Sequence, residues 1–509
     1  MKNSKGNFND IKIILYYTGY VILGTGSLML IPIITSILFR EWATVIDFLI
    51  SINITLSVGL VFLLLGYKNN KKFQWKHGLI ISALSWIVLT FLCAIPYLLS
   101  GHINSLLDAC FDVMSGFTTT GLILIQDLEH ISYGLNMWRH IITFVGGQGM
   151  VVLALSLLVK NTAGAYQMYV GEGKDIELFP NVKNTARIIW IISMVYLLVG
   201  TVVLWINGIT IGLKPVSALF HGMFVFMSAW STGGFAPMSQ NLLYYHSFSY
   251  EIWSIIFFTL GSFNFGLHFA IWKGNRKEIF KNIETRTFFI TGTLTSMLAI
   301  LALLKSSGYV GASSLFRRGI YNLLSAHTTT GFANVYSRQF ALQWGDFGVL
   351  VMVIAMLLGG CACSTAGGIK ALRVGIIFKG IFSDIRKNLS SDRKVQVVKM
   401  HYIKEQVLQE PIIKGAAMIA LCYIMLFTIG TGIGAYYGYP LTESAFECAS
   451  VVGNVGLSIG VTSTTMPVVM KIYYIVAMYL GRLEFISVFA LLGFLFGGIR
   501  KVCLKYVKR

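Results

Sequence analysis

Four short stretches of the sequence share one pattern of small polar residues and glycine, residue types that leave backbone oxygen open to an ion. Each has an aromatic residue, a serine four positions later and a glycine six positions after the serine. The aromatic residues are Phe111, Phe224, Tyr321 and Phe446, the serines are Ser115, Ser228, Ser325 and Ser450, and the glycines are Gly121, Gly234, Gly331 and Gly456. Carbonyl oxygens arranged in a ring replace the water shell of a cation. The pattern therefore predicts four equivalent segments around one cation path.

The last four residues of each stretch form a tip that we predict to bind the cation. Glycine reaches positive φ at little cost and lets two backbones approach closely, so it suits a segment that exposes carbonyl groups. The tips carry no Asp or Glu, which weighs against a carboxylate ring for divalent ions. Packing of a helix against a turn, without an ion path, is the alternative explanation. The predicted binding residues are Thr118, Thr119, Thr120, Gly121, Ser231, Thr232, Gly233, Gly234, Thr328, Thr329, Thr330, Gly331, Gly453, Asn454, Val455 and Gly456.

The composition places these segments in a membrane protein. Of 509 residues, 55% are hydrophobic and only 12% are charged, and the mean hydropathy is +0.71. A soluble protein has about 25% charged residues. In a soluble protein, the excess of 40 Lys+Arg over 21 Asp+Glu would suggest nucleic-acid binding. In a membrane protein it follows topology, because basic residues collect on the cytoplasmic side.

Ten apolar runs are long enough to cross a bilayer, which takes about 20 residues. With both termini in the cytoplasm, most basic residues fall in segments on that side. Shorter apolar stretches between the spans on the outer side fit re-entrant half-helices, which are tolerable only against protein or a water-filled cavity. The predicted spans are about 12–38, 44–66, 78–100, 137–159, 187–206, 248–272, 287–304, 346–369, 412–434 and 468–498, and the half-helices about 104–117, 216–230, 316–327 and 441–452.

The recurring pattern divides the chain into an N-terminal two-span hairpin and four repeats of span, half-helix, tip and span. Four such units predict an all-α polytopic membrane protein with a pseudo-fourfold ring. The half-helix C-termini would meet at mid-membrane, where their dipoles favour cations. The predicted limits are 1–70 for the hairpin and 71–165, 166–275, 276–400 and 401–509 for the repeats, with pore loops at about 104–121, 216–234, 316–331 and 441–456.

A run of small residues interrupts the eighth span. Its four glycines are expected to break the helix, and an unwound stretch at this depth must face protein or water. The stretch would meet this requirement either on the cation path or by close packing between helices. The run consists of Gly359, Gly360, Cys361, Ala362, Cys363, Ser364, Thr365, Ala366, Gly367 and Gly368.

Three charged side chains inside apolar segments are further candidates. Arg482 lies about 21 Å into the last span when counted from Val468, and intramembrane charges are usually functional. We expect it to act as an electrostatic barrier on the cation path, and pairing with Glu484 or a half-helix C-terminus is the alternative. Asp112 and Glu447 both precede their tip glycine by nine residues. A structural hydrogen-bonding role is favoured for these two acids.

The motifs resemble those of the TrkH/TrkG/KtrB superfamily of potassium transporters over about residues 78–500. The two extra N-terminal spans are similar to its Trk branch. Gln148 and Cys363 depart from the family pattern, in which Met and Gly are usual. The matching stretches are SGFTTTG (115–121), FVGGQG (144–149), STGGF (231–235), HTTTGF (327–332), GGCACSTAGGIKALR (359–373), GNVGLS (453–458) and GRLE (481–484).

This resemblance implies the finer details of fold and function. The units would be potassium-channel-like span–pore-helix–span repeats, with Gly121, Gly234, Gly331 and Gly456 as filter glycines and the small-residue run as the gate below. The transported ion would be K⁺. The protein would be a homodimer in the bacterial cytoplasmic membrane, regulated by a cytosolic RCK-type, TrkA-like nucleotide-binding subunit. No organic cofactor or nucleic acid is expected on the chain itself, so a nucleotide would act only through that subunit.

Two other classes of function stay open. A secondary symporter coupling K⁺ to H⁺ or Na⁺ would need a second ion site, usually an intramembrane carboxylate. The sequence offers Glu484 as its deepest acid, without a buried acid pair. A membrane enzyme is the other class, but the chain has no GxxxxGK[ST] loop, no HExxH and no GxSxG between a strand and a helix. We therefore predict that the protein is not an enzyme.

Overall fold

The computed structural model describes residues 2–67, 73–150, 152, 168, 170, 182–306, 311–390 and 397–507. Within them, six helices are long and apolar enough to cross a membrane, or eight if each of two sharply bent helix pairs counts as one span. The chain is therefore a multi-pass, mostly helical membrane protein. The predicted limits between residues 70 and 71 and between 165 and 166 lie outside the described residues, as does most of 151–159 in the fourth span. The other domain limits stay predictions.

Long helices occupy the N-terminal hairpin and the first span of each repeat. A change of direction at residues 28–29 divides the first of them. In the hairpin the helices are Lys2–Ser27, Leu30–Leu38 and Trp42–Gly66, and in the repeats they are Trp75–Cys93 with Ile95–Leu99, Val182–Thr210, Ile283–Ser306 and Glu410–Tyr436. These positions confirm the predicted first spans.

All four predicted half-helices are present. A 12-residue helix is about 18 Å long, too short to cross the membrane. Pro215 begins the second one with its φ already helical, and Asp108 and Glu443 lie in the first turns of the first and fourth, where a negative charge is stabilising. The half-helices are Leu106–Phe117, Pro215–Trp230, Leu441–Val452 and, in the third repeat, the consecutive helices Ala312–Ser314, Leu315–Ile320 and Tyr321–His327.

The second span is broken in repeats 2, 3 and 4, whereas the sequence predicted a break only in repeat 3. Within the predicted spans 248–272 and 468–498, the two halves bend by 99° and 114°. Asn264 caps the new helix in repeat 2 by accepting the Gly266 N–H at 2.7 Å. In repeat 4, Glu484 and Phe485 adopt positive φ. The second-span helices are Tyr133–Gln148, Phe248–Gly261 with Phe265–Trp272, Gly345–Leu357 with Ala371–Asn388, and Val468–Arg482 with Ile486–Val507.

Glycines let three of these second spans touch the last residue of their half-helix. A Cβ on Gly146 would lie 2.0 Å from the Phe117 carbonyl oxygen, and one on Gly261 would lie 2.2 Å from that of Trp230. Gly481 has the same relation to Val452, at 2.4 Å. A side chain at any of these positions would push the span away from the tip. In repeats 2 and 4 the break therefore lies directly beside the end of the half-helix.

A small β-hairpin on the predicted cytoplasmic side departs from the all-α expectation. Strands Lys399–Tyr402 and Lys404–Val407 pair antiparallel, with Ile403 at positive φ in the turn. Met400 packs in a small apolar cluster with Ala362 of the small-residue run. Three short helices complete the described structure: Asn241–Tyr245, Glu278–Lys281 and Ser337–Gln343.

The turn of the N-terminal hairpin supports repeat 1. The Glu41 carboxylate accepts the N–H groups of Tyr133 and Gly134 at 2.7 and 3.0 Å, at a helix N-terminus where negative charge is favoured. Phe39 stacks on Tyr133, with ring centres 3.9 Å apart, and meets Phe220 of the second half-helix edge-on. The hairpin thus joins the outer ends of repeats 1 and 2.

Replacing Glu41 by alanine is expected to destabilise the protein by about 1 kcal/mol, as loss of a helix cap does. Two helix N–H groups would lose their acceptor. The thermal unfolding midpoint of the detergent-solubilised protein should fall. Glu410→Ala, at an exposed helix start, is the matched control, and an equal fall in both variants would contradict the capping role.

Candidate cation-binding site

The four tips have the same backbone conformation. In each, the residue before the glycine donates its N–H to the carbonyl of the repeat serine at 2.8 Å: Thr120 to Ser115, Gly233 to Ser228, Thr330 to Ser325 and Val455 to Ser450. This bond turns the chain out of the half-helix. The serine of the sequence pattern therefore accepts this bond through its backbone carbonyl, a role that its side chain did not indicate.

Two residues of every tip lie in the left-handed region. The tip glycines have φ of 90°, 65°, 83° and 95°. Two positions earlier, Thr119, Thr232, Thr329 and Asn454 have φ between 49° and 56°, which costs a non-glycine residue about 1–2 kcal/mol. All four are fully buried. The surrounding packing thus holds the same strained turn in every repeat.

Glycine contacts between neighbouring tips close a ring. A Cβ on Gly121 would lie 2.4 Å from the Gly233 carbonyl oxygen, and one on Gly234 would lie 2.3 Å from that of Thr330. A Cβ on Gly331 would lie 1.9 Å from the Val455 oxygen, and one on Gly456 would lie 1.9 Å from the Thr120 oxygen. The contacts run from repeat 1 through 2, 3 and 4 and back to 1. The predicted tip residues are thus brought together, with a backbone carbonyl at each boundary.

The two acids nine residues before a tip glycine hold the backbone that follows their own tip. Asp112 accepts the Leu124 N–H at 2.7 Å. Glu447 accepts the Ile459 and Thr462 N–H groups at 3.0 Å each, together with hydroxyls of Ser458 and Thr462. Both are completely buried. These contacts agree with the structural role favoured from the sequence.

The small-residue run forms a buried loop against the ring. The helix ends at Leu357, and the next begins at Ala371. The Gly359 N–H donates to the Ile369 carbonyl at 2.9 Å, which closes the base of the loop. The Cys361 N–H donates to the Ser262 carbonyl at 3.0 Å, in the break of repeat 2. The predicted interruption of the eighth span is confirmed.

This loop contacts the tips of all four repeats. The Thr365 hydroxyl lies 3.2 Å from that of Thr232, and the Thr365 carbonyl accepts from the Thr119 hydroxyl at 3.5 Å. The Gly367 N–H donates to the Thr329 hydroxyl at 2.7 Å. A Cβ on Gly367 would lie 2.3 Å from the Gly453 carbonyl oxygen. Any displacement of the loop must therefore break contacts with every tip.

Arg482 fastens the loop to repeat 1. Its guanidinium donates to the Thr365 carbonyl of the loop, to the Thr119 hydroxyl at 3.3 Å, and to the Gly146 and Gly147 carbonyls at 2.8 and 2.9 Å. The Glu484 carboxylate pairs with Arg373. Arg482 is the last residue of the helix that begins at Val468, directly before the bend in this span.

Further polar groups behind the loop were not singled out in the sequence analysis. The buried carboxylate of Glu284 accepts the Ala362 N–H and the Asn264 amide, the latter at 3.2 Å. Lys370 is also buried and donates to the Ala366 carbonyl. Glu284 precedes its span by only a few residues, and its position had suggested an ordinary cytoplasmic loop. A charged residue next to a predicted span boundary was the signal available.

A cavity of about 220 Å³ opens on the outer side of the ring. Gly121, Gly331 and Gly456 line its floor together with loop residues that follow the tips. On the surrounding outer loops, Glu129 accepts from Ser239. A hydrogen bond from His130 holds the pKa of the exposed Asp127 carboxyl below its usual value, so the carboxyl stays negatively charged. The cavity gives access to the ring from outside.

Comparison with known proteins decides the family. Residues 45–493 match the TrkH family, described as a cation transport protein. The chain belongs to the TrkH family. An uncharacterized cation transporter of Methanocaldococcus jannaschii is 28% identical over 492 residues, with 96% of each chain covered. A Trk system potassium uptake protein TrkH from Vibrio parahaemolyticus is 27% identical over 482 residues, which cover 91% of this chain and 94% of that protein.

The TrkH-family assignment agrees with the fold. The crystal structure of the potassium transporter TrkH from Vibrio parahaemolyticus superimposes with a TM-score of 0.80 at 24% identity. The match covers 94% of this chain and 98% of that one. The family resemblance inferred from the tips, the small-residue run and the last-span motif is therefore confirmed, and so is the fold class of four tandem repeats.

Proposed function

We propose that this chain is the membrane subunit of a potassium-uptake system, in which K⁺ moves through a channel-like path along the axis of the four tips. The closed ring of tip backbones with a carbonyl oxygen at each boundary is the observation that carries the proposal. Such oxygens replace a cation's hydration shell. The half-helix C-termini add partial negative charge. The potassium-uptake names of the TrkH and TrkG relatives favour K⁺ over other cations.

In this proposal the tips are the selectivity filter, and residues 359–368 with Arg482 are the gate. The loop's contacts with Thr119, Thr232 and Thr329 support its position next to the filter. The positive charge of Arg482 adds an electrostatic barrier on a cation path. The filter has one aligned glycine per repeat, and its four tips have three different sequences, so we expect weaker discrimination of K⁺ from Na⁺ than in a potassium channel.

The assembly belongs to the same proposal. Resemblance to the Trk branch supports a homodimer in the bacterial cytoplasmic membrane, with both termini in the cytoplasm. It also supports a cytosolic RCK-type nucleotide-binding subunit that acts on the gate. The membrane potential would drive uptake, at about 2.3 kcal/mol per charge for each 100 mV. No coupling ion is part of the proposal.

The deciding experiment is ⁸⁶Rb⁺ flux into liposomes that contain the purified protein alone, with the pH gradient clamped. The expected result is flux driven by potential, competed better by K⁺ than by Na⁺. Flux that appears only after a proton or sodium gradient is imposed would instead establish the symporter. Equal competition by K⁺ and Na⁺ would contradict the filter assignment.

A further inference from the structure

In repeat 2 the half-helix has no means of holding the segment that follows its own tip. In the other repeats, the residue nine before the tip glycine bonds to the residue three after it. These pairs are Asp112 with Leu124, Asn322 with Asn334, and Glu447 with Ile459. The corresponding residues of repeat 2 are Val225 and Pro237. Valine offers no acceptor and proline has no N–H, so this bond cannot form there.

Side chains from repeat 1 contact the segment 235–237 instead, and His140 meets the Phe235 ring edge-on. The Asn136 amide donates to the Pro237 carbonyl at 3.3 Å. The Arg139 guanidinium donates to the Ala236 carbonyl at 3.5 Å, and its central carbon lies 4.6 Å from the centre of the Phe235 ring. Arg139 also donates to the Asn136 side-chain oxygen at 3.3 Å. One turn of the helix Tyr133–Gln148 thus covers all three residues after the second tip.

Arg139 makes these contacts away from solvent. Its side chain is completely buried, and a buried charge is costly unless it is paired and hydrogen-bonded. The Nη1 bonds to the Ala236 carbonyl and the Asn136 side-chain oxygen meet part of that requirement. Among the described residues, Nε and Nη2 have no hydrogen-bond partner, so the bonds of Nη1 hold the guanidinium against the segment after the second tip.

We propose that Arg139 is a positioning residue for the second tip. From repeat 1 it supplies, with Asn136, the tether that the other three repeats build from their own half-helices. The inference rests on the proposed function of the tips as a potassium filter.

The test compares K⁺ and Na⁺ as competitors of ⁸⁶Rb⁺ flux in liposomes. Arg139→Gln is expected to lower the preference for K⁺ over Na⁺ roughly tenfold, since it removes a charge-assisted hydrogen bond. Asn136→Ala gives the same readout without a change of charge, with a loss of about threefold, and serves if Arg139→Gln does not fold. The maximal flux should change less than the ion preference.

Rescue separates tethering from a general structural effect. The pair Val225→Asn and Pro237→Leu provides repeat 2 with its own acceptor and N–H, as in repeat 1. Added to Arg139→Gln, it should restore most of the K⁺ preference, and by itself it is the control. Wild-type preference in folded Arg139→Gln or Asn136→Ala protein would overturn the inference, and so would a loss that the tether pair does not restore. A wild type without K⁺ preference would contradict the filter assignment and the inference together.

Discussion

Replacing Gly331 by serine is expected to reduce the preference for K⁺ over Na⁺ at least roughly tenfold, a ratio that corresponds to 1.4 kcal/mol. A Cβ at this position would lie 1.9 Å from the Val455 carbonyl oxygen, so the fourth tip must move. The φ of 83° adds strain for any residue with a side chain. The measurement is the ratio of K⁺ to Na⁺ competition against ⁸⁶Rb⁺ flux in liposomes.

Gly438→Ser is the matched control for this substitution. Gly438 has φ of 89°, but nothing lies within 4 Å of its Cβ position. It therefore has the same backbone strain without crowding of a neighbouring carbonyl. The control should keep wild-type selectivity. If Gly331→Ser also keeps it in a folded protein, Gly331 is not part of the filter.

Replacing Arg482 by alanine is expected to raise the basal flux of the protein on its own by on the order of tenfold or more. The guanidinium bonds the Thr365 carbonyl of the loop to the Gly146 and Gly147 carbonyls. A hydrogen bond to a charged group contributes about 1.5–3 kcal/mol, so its loss shifts the loop toward the open position. The barrier of a positive charge is removed as well. ⁸⁶Rb⁺ uptake without any cytosolic subunit measures the effect.

A lysine at position 482 separates the two contributions. It keeps the charge but cannot reach several carbonyls with a planar fork of donors. A high flux in Arg482→Lys would assign the effect to fastening of the loop, whereas a low flux would assign it to the charge. Arg338→Ala is the control, because that arginine is largely exposed and pairs with Glu443 on the outer side. Unchanged or lower flux in folded Arg482→Ala protein would count against both roles.

The tips were predictable because their information is local. The spacing of the serine and the glycine marked the turn that leaves each half-helix, which is closed by backbone bonds such as those from Thr120 to Ser115 and from Thr330 to Ser325. The small-residue run was predictable for the same reason, since its glycines cannot sustain a helix in a span. The same local pattern therefore gives the same backbone conformation at places far apart in the sequence.

The breaks in repeats 2 and 4 were missed because hydropathy averages over a whole span. Asn264 was one polar residue within a long apolar run, although its side chain caps a new helix. Arg482 and Glu484 did interrupt the last run, but their charges were interpreted as a barrier and its partner rather than as a bend. Arg139 was missed because its contacts are with Phe235 and Ala236 of another repeat. Such contacts depend on how the repeats pack against one another, and no local sequence pattern encodes that packing.

Because the loop contacts all four tips, the binding of an ion in the ring and the position of the loop are thermodynamically coupled. The hydroxyls of Thr119, Thr232 and Thr329 are bonded to the loop, so its displacement releases groups beside the ring. If release of these hydroxyls changes the free energy of ion binding, then ion binding changes the free energy of loop displacement by the same amount, because linkage is reciprocal. The cargo would then also be an effector, and the open fraction would follow external K⁺ even with no regulatory subunit bound.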